Sequence, residues 1–344
     1  MGHKLYIITL EKIEQRYTKQ WYECWKKEFS KYIDEVEYID GKDLEQTIKT
    51  GAFLDANNTC KYKAQQVEKI ADMFNEDKIK KGDMFLFADG WNFAITALKY
   101  MSQLNEISIK IFAFWHAGSW DLHDRITQVG MREWAEYVEC GWLTACDGHF
   151  VATEYHKNLI YKYFGGFVKK NKIHIVGFPM DWENEFKKYN ITVGKKENIV
   201  VFPHRLDKEK DPDTFDMLAK QFPKYKFIKT LDVTKGKKDY YKLLAKAKVV
   251  FSCSKQETFG IGTVEAMLLG CIPVVPDRLS YTEMYHPMFL YSDIHSVKHK
   301  IEYAINHQGD NTKRIEKVRK RNVEQLLDDS KNSYEKMAKV MLDE

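Results

Sequence analysis

A chain of 344 residues is longer than one ordinary hydrophobic core organises, so two domains of roughly 150 to 180 residues each are expected. With 44% hydrophobic and 30% charged residues it reads as a soluble globular chain, and the lack of any uncharged apolar run of about 18 residues excludes a helical membrane span. A net charge of +4 is compatible with a polyanionic partner without requiring one.

From the amino end the chain moves directly into a strand-like run at residues 4–9, without the apolar core and small-residue cleavage site of an export signal, so a cytoplasmic protein is expected. Residues 17–31 have helical periodicity. There Lys12, Arg16, Lys19, Lys26, Lys27 and Lys31 are interleaved with Tyr17, Trp21, Tyr22 and Trp25. Such a face suits phosphates and stacked bases, or an anionic lipid surface, or the ordinary packing of a half-buried amphipathic helix. Strands follow at 36–39, 84–88, 109–115, 149–153 and 172–176, with helices at 63–75 and 154–164, the latter closed by Gly165-Gly166. This alternation is that of a parallel sheet with helical crossovers.

Two loops at the carboxyl ends of these strands carry polar groups. Asp89-Gly90-Trp91-Asn92 follows the strand at 84–88, and His116 to Asp121 follows that at 109–115. Asp89, Trp91, Ser119 and Asp121 are candidate acceptor-binding residues, although Asp-Gly and Asp after an aromatic are also common turn chemistry. A polar linker is expected at about 184–198. The domains are accordingly placed at residues 1–185 and 196–305, with a charged helical segment at 306–344.

The second domain opens with a buried strand from residue 199 and a loop bearing Arg205 and Lys210. Ligands of open α/β sheets bind at that edge, where an Arg fork and a Lys point charge together can offset a leaving diphosphate. Asp211-Pro212-Asp213 imitates a metal-holding carboxylate pair but reads as the start of a helix, with Pro and acid in its first turn. Next comes the apolar run 248–251 and then SKQETFGIGTVEAMLLGCIPVVPD at 254–277. Glu257 and Glu265 flank a glycine-bearing turn, Phe259 to Gly262, that opens a helix. The amides of Gly260 to Thr263 would face an anion at that helix terminus. One carboxylate could reach a donor sugar and the other accept two ribose hydroxyls. An ordinary strand, turn and helix with a capping glutamate is the plain alternative.

These residues resemble the retaining two-Rossmann-domain glycosyltransferases, the GT-B type, in the family that includes sucrose and glycogen synthases. Arg205 with Lys210 five positions on, Glu257 with Glu265 eight on, and the strand at 271–275 fall where that family has them. The similarity runs over about residues 112–285. It implies an α/β fold of two Rossmann-like domains facing across a cleft, with a last helix packing back on the first. It implies catalytic roles for Glu257, Arg205, Lys210 and His116, which falls where relatives have a histidine near the sugar. The donor set would be Arg205, Lys210, Glu257, Phe259, Gly260, Ile261, Gly262, Thr263 and Glu265. A UDP-sugar is favoured, and no cofactor or metal is required.

Two departures stand out. The family's glycine-rich first loop is replaced by ITLEKIEQRYTKQWYECW, and residues 278–283 lack the usual paired glycines before Glu283. The missing loop and small size also resemble glycosyltransferases of bacterial viruses that modify hydroxymethylated bases in their own DNA, which would place the protein in host cytoplasm. DNA is therefore the favoured acceptor. A cell-envelope glycan or lipid, with peripheral membrane contact, and a non-catalytic binding module remain alternatives. The six cysteines lack paired short spacing and read as reduced, mostly core residues.

Overall fold

The computed structural model describes residues 4–43, 55–307 and 310–343. They form two compact units, Met1–Met180 with Lys331–Glu344, and Asp181–Ser330. The first is built on β1 (Lys4–Ile8), β2 (Glu35–Ile39), β3 (Met84–Phe87), β4 (Lys110–Phe114), β5 (Gly148–Val151) and β6 (Ile173–Ile175). These pair in parallel in the order β2-β1-β3-β4-β5-β6. Runs such as MFLF in β3 are buried throughout, because helices cover both faces of a parallel sheet.

The second unit is built on β7 (Glu197–Phe202), β8 (Lys226–Lys229), β9 (Ala247–Phe251), β10 (Ile272–Pro276) and β11 (Leu290–Tyr291), also parallel, in the order β11-β10-β9-β7-β8. β10 tolerates Pro273 because β11 joins it only at Val275 and Pro276, so Pro273 meets a sheet neighbour only on its β9 side. In both units one strand, β1 or β7, lies between its successor and a later strand. This is the topological switch point at which such sheets bind ligands.

The strands predicted from sequence lie within two residues of those observed, but helices were less visible. Asp55 caps a helix at Ala56–Asn75, its carboxylate accepting from the Asn58 amide at 3.1 Å, seven residues before the expected start. Its polar first turn, ANNTCK, hides it. Helices at Ala94–Leu104 and Arg132–Ala145 were not assigned, and the expected linker instead begins with a helix at Trp182–Lys188.

The terminal helix, Asp310–Asp343, buries Ile315, Leu326, Tyr334, Met337, Ala338 and Met341 along one stripe. Its last turns belong to the first unit, where Tyr334 packs edge-on against Phe29 and donates to the Pro179 carbonyl at 3.0 Å. The cysteines correct the sequence reading. Only Cys253 and Cys271 are buried, Cys60 is exposed, and the other three are partly exposed.

Candidate functional site

At the switch point of the second unit, the loop after β7 lies beside the loop after β9, and the two are stitched by the Lys255 amide donating to the Glu209 carbonyl at 2.7 Å. Lys210, 6% exposed, donates to Glu257 Oε2 at 3.0 Å and to the Gln256 carbonyl at 2.6 Å. Burial alone would raise the Glu257 pKa. The charge of Lys210 and the hydrogen bond from the Phe259 amide outweigh it and hold the carboxyl below its ordinary range. Glu257 is therefore ionised at neutral pH. Arg278 braces the same loop from behind, donating to the carbonyls of Cys253 at 2.9 Å and Ser254 at 3.1 Å.

Arg205 stands on the same loop as Lys210, but its guanidinium is engaged by Asp207 at 2.6 Å and Glu209 at 3.0 Å. Neither predicted cation thus stands alone: each is matched by a carboxylate. Asp211 takes the position before the helix at Pro212–Gln221 with left-handed backbone. Pro212 and Asp213 lie in the first turn of that helix as expected, while the Asp211 carboxylate pairs with Lys255 at 3.2 Å and makes no cap bond.

The glycine turn opens the helix at Ile261–Leu268. Gly260 sits before it at φ +84°, a conformation that favours glycine. Gly262 is required for a different reason. A Cβ there would stand 2.8 Å from the Pro203 carbonyl oxygen and 3.3 Å from the Tyr240 hydroxyl, so the helix end touches the β7 loop backbone directly. The amides of Thr263 and Val264 both return to the Gly260 carbonyl at 3.0 Å. Of the four amides expected to face an anion, Gly260 to Thr263, that of Thr263 is therefore turned into the helix, and those of Gly260, Ile261 and Gly262 have no acceptor among the described residues.

Glu265, one turn further, makes no hydrogen bond to Arg205, Lys210 or Glu257. Its oxygens accept from Tyr240 and Tyr241, each at 2.9 Å, and Tyr241 also approaches Glu185, which pairs with Lys237 at 3.1 Å. Burial pushes Glu265 up to about 7, against the opposing pull of Lys237 and the two phenols. Sequence reasoning missed both tyrosines, since Tyr-Tyr on an amphipathic helix looks like core. Glu283 is exposed on a short helix at Tyr281–Met284.

The candidate acceptor residues lie in the first unit. His116 donates from Nε2 to the Ala88 carbonyl at 2.9 Å and accepts on Nδ1 from the Tyr17 hydroxyl at 3.3 Å, and burial lowers its pKa. Asp89 accepts from the Trp91 amide at 3.0 Å and faces Lys63 at 3.8 Å. Trp91 donates its indole N–H to Glu139 at 2.5 Å. Ser119 is 2% exposed, with amide and hydroxyl both on Glu139, and Asp121 is buried and accepts from the His123 amide at 2.9 Å. Glu139 was not foreseen. The basic and aromatic helix, Tyr17–Phe29, buries Trp21, Trp25 and Phe29, so those rings are core and do not present a stacking face. Among the described residues no helix is long and apolar enough to cross a membrane, and no cluster of three His, Cys, Asp or Glu could hold a metal ion.

The fold of this chain recurs among solved structures. Over 99% of both chains the protein is similar to sucrose-phosphate synthase from Thermosynechococcus elongatus, with a TM-score of 0.66 at 11% identity. The fold is GT-B. A UDP-forming alpha,alpha-trehalose-phosphate synthase from Burkholderia vietnamiensis gives the same TM-score, 0.66, at 8% identity, over 100% of this chain and 99% of that one. No protein-family model matches this GT-B chain. One 65-residue stretch is 32% identical to tRNA-queuosine alpha-mannosyltransferase of Drosophila melanogaster, and this match spans 19% of the chain and 17% of that protein.

Proposed function

We propose that the protein is a retaining glycosyltransferase that moves a hexosyl or pentosyl group from a nucleoside diphosphate sugar to a hydroxyl on a modified base of a nucleic acid. The observation that carries the donor half is the buried Lys210–Glu257 pair beside the open amides of Gly260, Ile261 and Gly262, all at the switch point of a GT-B unit. An ionised carboxylate locked at that edge suits sugar hydroxyls, and the open helix end suits a phosphate. Support for UDP comes from the structural neighbour described as UDP-forming.

In the mechanism the bond from the anomeric carbon to the phosphate oxygen breaks as the acceptor oxygen bonds to the same face of that carbon. The departing phosphate takes the acceptor proton, and nucleoside diphosphate leaves. Lys210, Arg205 and the amides stabilise the charge that develops on the leaving group, so no metal is needed in this scheme. Glu257 orients the transferred sugar and Glu265 the ribose. Asp89, Trp91 and His116 would stand on the acceptor side.

For the acceptor, the compact chain and its glycine-free first loop favour a hydroxymethylated pyrimidine in DNA. The short match to a tRNA-modifying enzyme supports a nucleobase-linked hydroxyl more generally. A base inside a duplex would have to be extruded to react. The test is one panel. Purified protein is incubated with UDP-, GDP- and ADP-sugars and with hydroxymethylated DNA, unmodified DNA or tRNA, and the nucleic acid is scored by mass. A hexose- or pentose-sized gain confined to one acceptor is expected. Release of nucleoside diphosphate without any gain in mass would remove the nucleic-acid acceptor.

A further inference from the structure

His204 ends the run from β7 into the loop of Arg205 and Lys210, one residue after the carbonyl that touches Gly262. Its side chain is 6% exposed and packs edge-on to Phe202 at 4.9 Å. Its Nε2 has no hydrogen-bond partner among the described residues. Leaving such a group dry costs about 1–3 kcal/mol, so a purpose is to be sought. Both nearby cations are matched by carboxylates, Arg205 by Asp207 and Glu209, Lys210 by Glu257. Among the described residues, the polar hydrogens at this strand edge without an acceptor include the imidazole, the Thr263 hydroxyl and the amides of Gly260, Ile261 and Gly262.

We infer that His204 is a ligand of the donor diphosphate, its Nε2–H donating to a phosphate oxygen seated at the amino end of Ile261–Leu268. This rests on the donor reading proposed above and adds a residue to it. Burial, with the charge of Lys210 added, pulls the imidazole down to about 3, so the ring is neutral and offers one N–H. A neutral donor suits a site that must release its product, since it contacts phosphate without adding a further full charge.

The test is titration of UDP, GDP and ADP into the wild type and into His204→Leu and His204→Gln, by calorimetry, with the matching free nucleoside followed by chemical-shift changes. For the diphosphate that binds, His204→Leu is expected to weaken affinity about tenfold, roughly 1.4 kcal/mol. His204→Gln, whose amide nitrogen can reach the Nε2 position, should stay within about threefold. Binding of the nucleoside should be unchanged in both, which a merely structural defect would not allow. Equal diphosphate affinity in the leucine variant, or equal weakening of nucleoside and diphosphate, overturns the role of His204 alone. Absence of binding by the wild type overturns the donor reading and this assignment with it.

Discussion

The two units share one architecture and differ in what stands at their strand ends. In the first, the ends of β3 and β4 are packed with rings: Tyr17 and Trp21 lie 5.5 and 5.2 Å from His116, which is itself 5.1 Å from Phe114. In the second, the ends of β7 and β9 hold charge in matched pairs, together with an unmatched imidazole and the open amides of Gly260, Ile261 and Gly262. A parallel sheet dictates where a ligand can sit, not which one. Under the function proposed above, the charged edge takes the anionic, hydroxyl-rich donor, while the ring-packed edge ties its loops together through buried aromatic contacts.

The largest break in this contrast comes from separating Lys210 and Glu257. Glu257→Ala is expected to lower transfer by at least about a thousandfold, since it removes the group that orients the sugar at the charge-bearing site. Lys210→Met leaves a buried carboxylate without its cation and should cost about 3–5 kcal/mol of stability as well as activity. In the double variant Lys210→Met with Glu257→Gln, most of that stability should return while activity stays lost. Urea unfolding alongside donor turnover separates the two effects. An active Glu257→Ala enzyme would remove the assignment of the charged edge.

Glu139 is the corresponding keystone of the first unit. It is fully buried and gathers Trp91 and Ser119, one from each loop, while burial raises its pKa against these hydrogen bonds. Glu139→Ala should cost about 3 kcal/mol by leaving several donors unmatched, and the glutamine variant less. If both loops serve the acceptor, Glu139→Gln should raise the acceptor KM while leaving hydrolysis of the donor by water unchanged. A matching change in donor hydrolysis would mean that the loops are general scaffolding.

Much of this was legible in the chain, and the remainder has a common physical reason. Strands such as VVF at β9 announce themselves because burial on both faces leaves an unbroken apolar run. The charged edge was legible because Arg205, Lys210 and Glu257 stand next to such strands, whereas Glu265, expected beside them, bonds to Tyr240 and Tyr241 instead. Glu139, Tyr240, Tyr241 and Arg278 were not, since each reaches its partner across the fold from an element whose own pattern is ordinary. His204 was not singled out at all. Nothing in the local sequence states that its Nε2 is buried without a partner. The helix at Trp182–Lys188 was hidden by its polar residues, although Asp181 caps it on the Asn184 amide at 3.3 Å.

Gly262 gives a smaller and sharper test. Gly262→Ala places a methyl 2.8 Å from the Pro203 carbonyl and must push the helix end away from the β7 loop. Overpacking of this kind costs about 1–3 kcal/mol. Diphosphate affinity should fall about tenfold, because the open amides move with the helix, and Gly260→Ala should act through backbone strain instead. Equal affinity in Gly262→Ala would detach the helix end from the donor.

The mildest effect is one of pH, and it concerns Glu265. Its carboxyl is raised to about 7 by burial, so in the folded protein it takes up a proton well above the pH at which it would in the unfolded chain. Ionising it inside the fold is therefore unfavourable. The contribution of Glu265 to stability should be greatest below about pH 4.5, where both states are protonated, decline as pH rises through the window up to about 7, and level off above it, opposite in sign to that of Glu257. Donor binding should run the other way, because ribose hydroxyls bond more strongly to a carboxylate than to a carboxylic acid. Affinity for the nucleoside diphosphate should thus rise severalfold between pH 6 and 8. Glu265→Gln should flatten both profiles, and Tyr240→Phe, which removes one phenol that favours the ionised form, should shift the midpoint upward. A pH-independent affinity in the wild type, measured by calorimetry at constant ionic strength, would separate Glu265 from the ribose and leave it a structural partner of the two tyrosines.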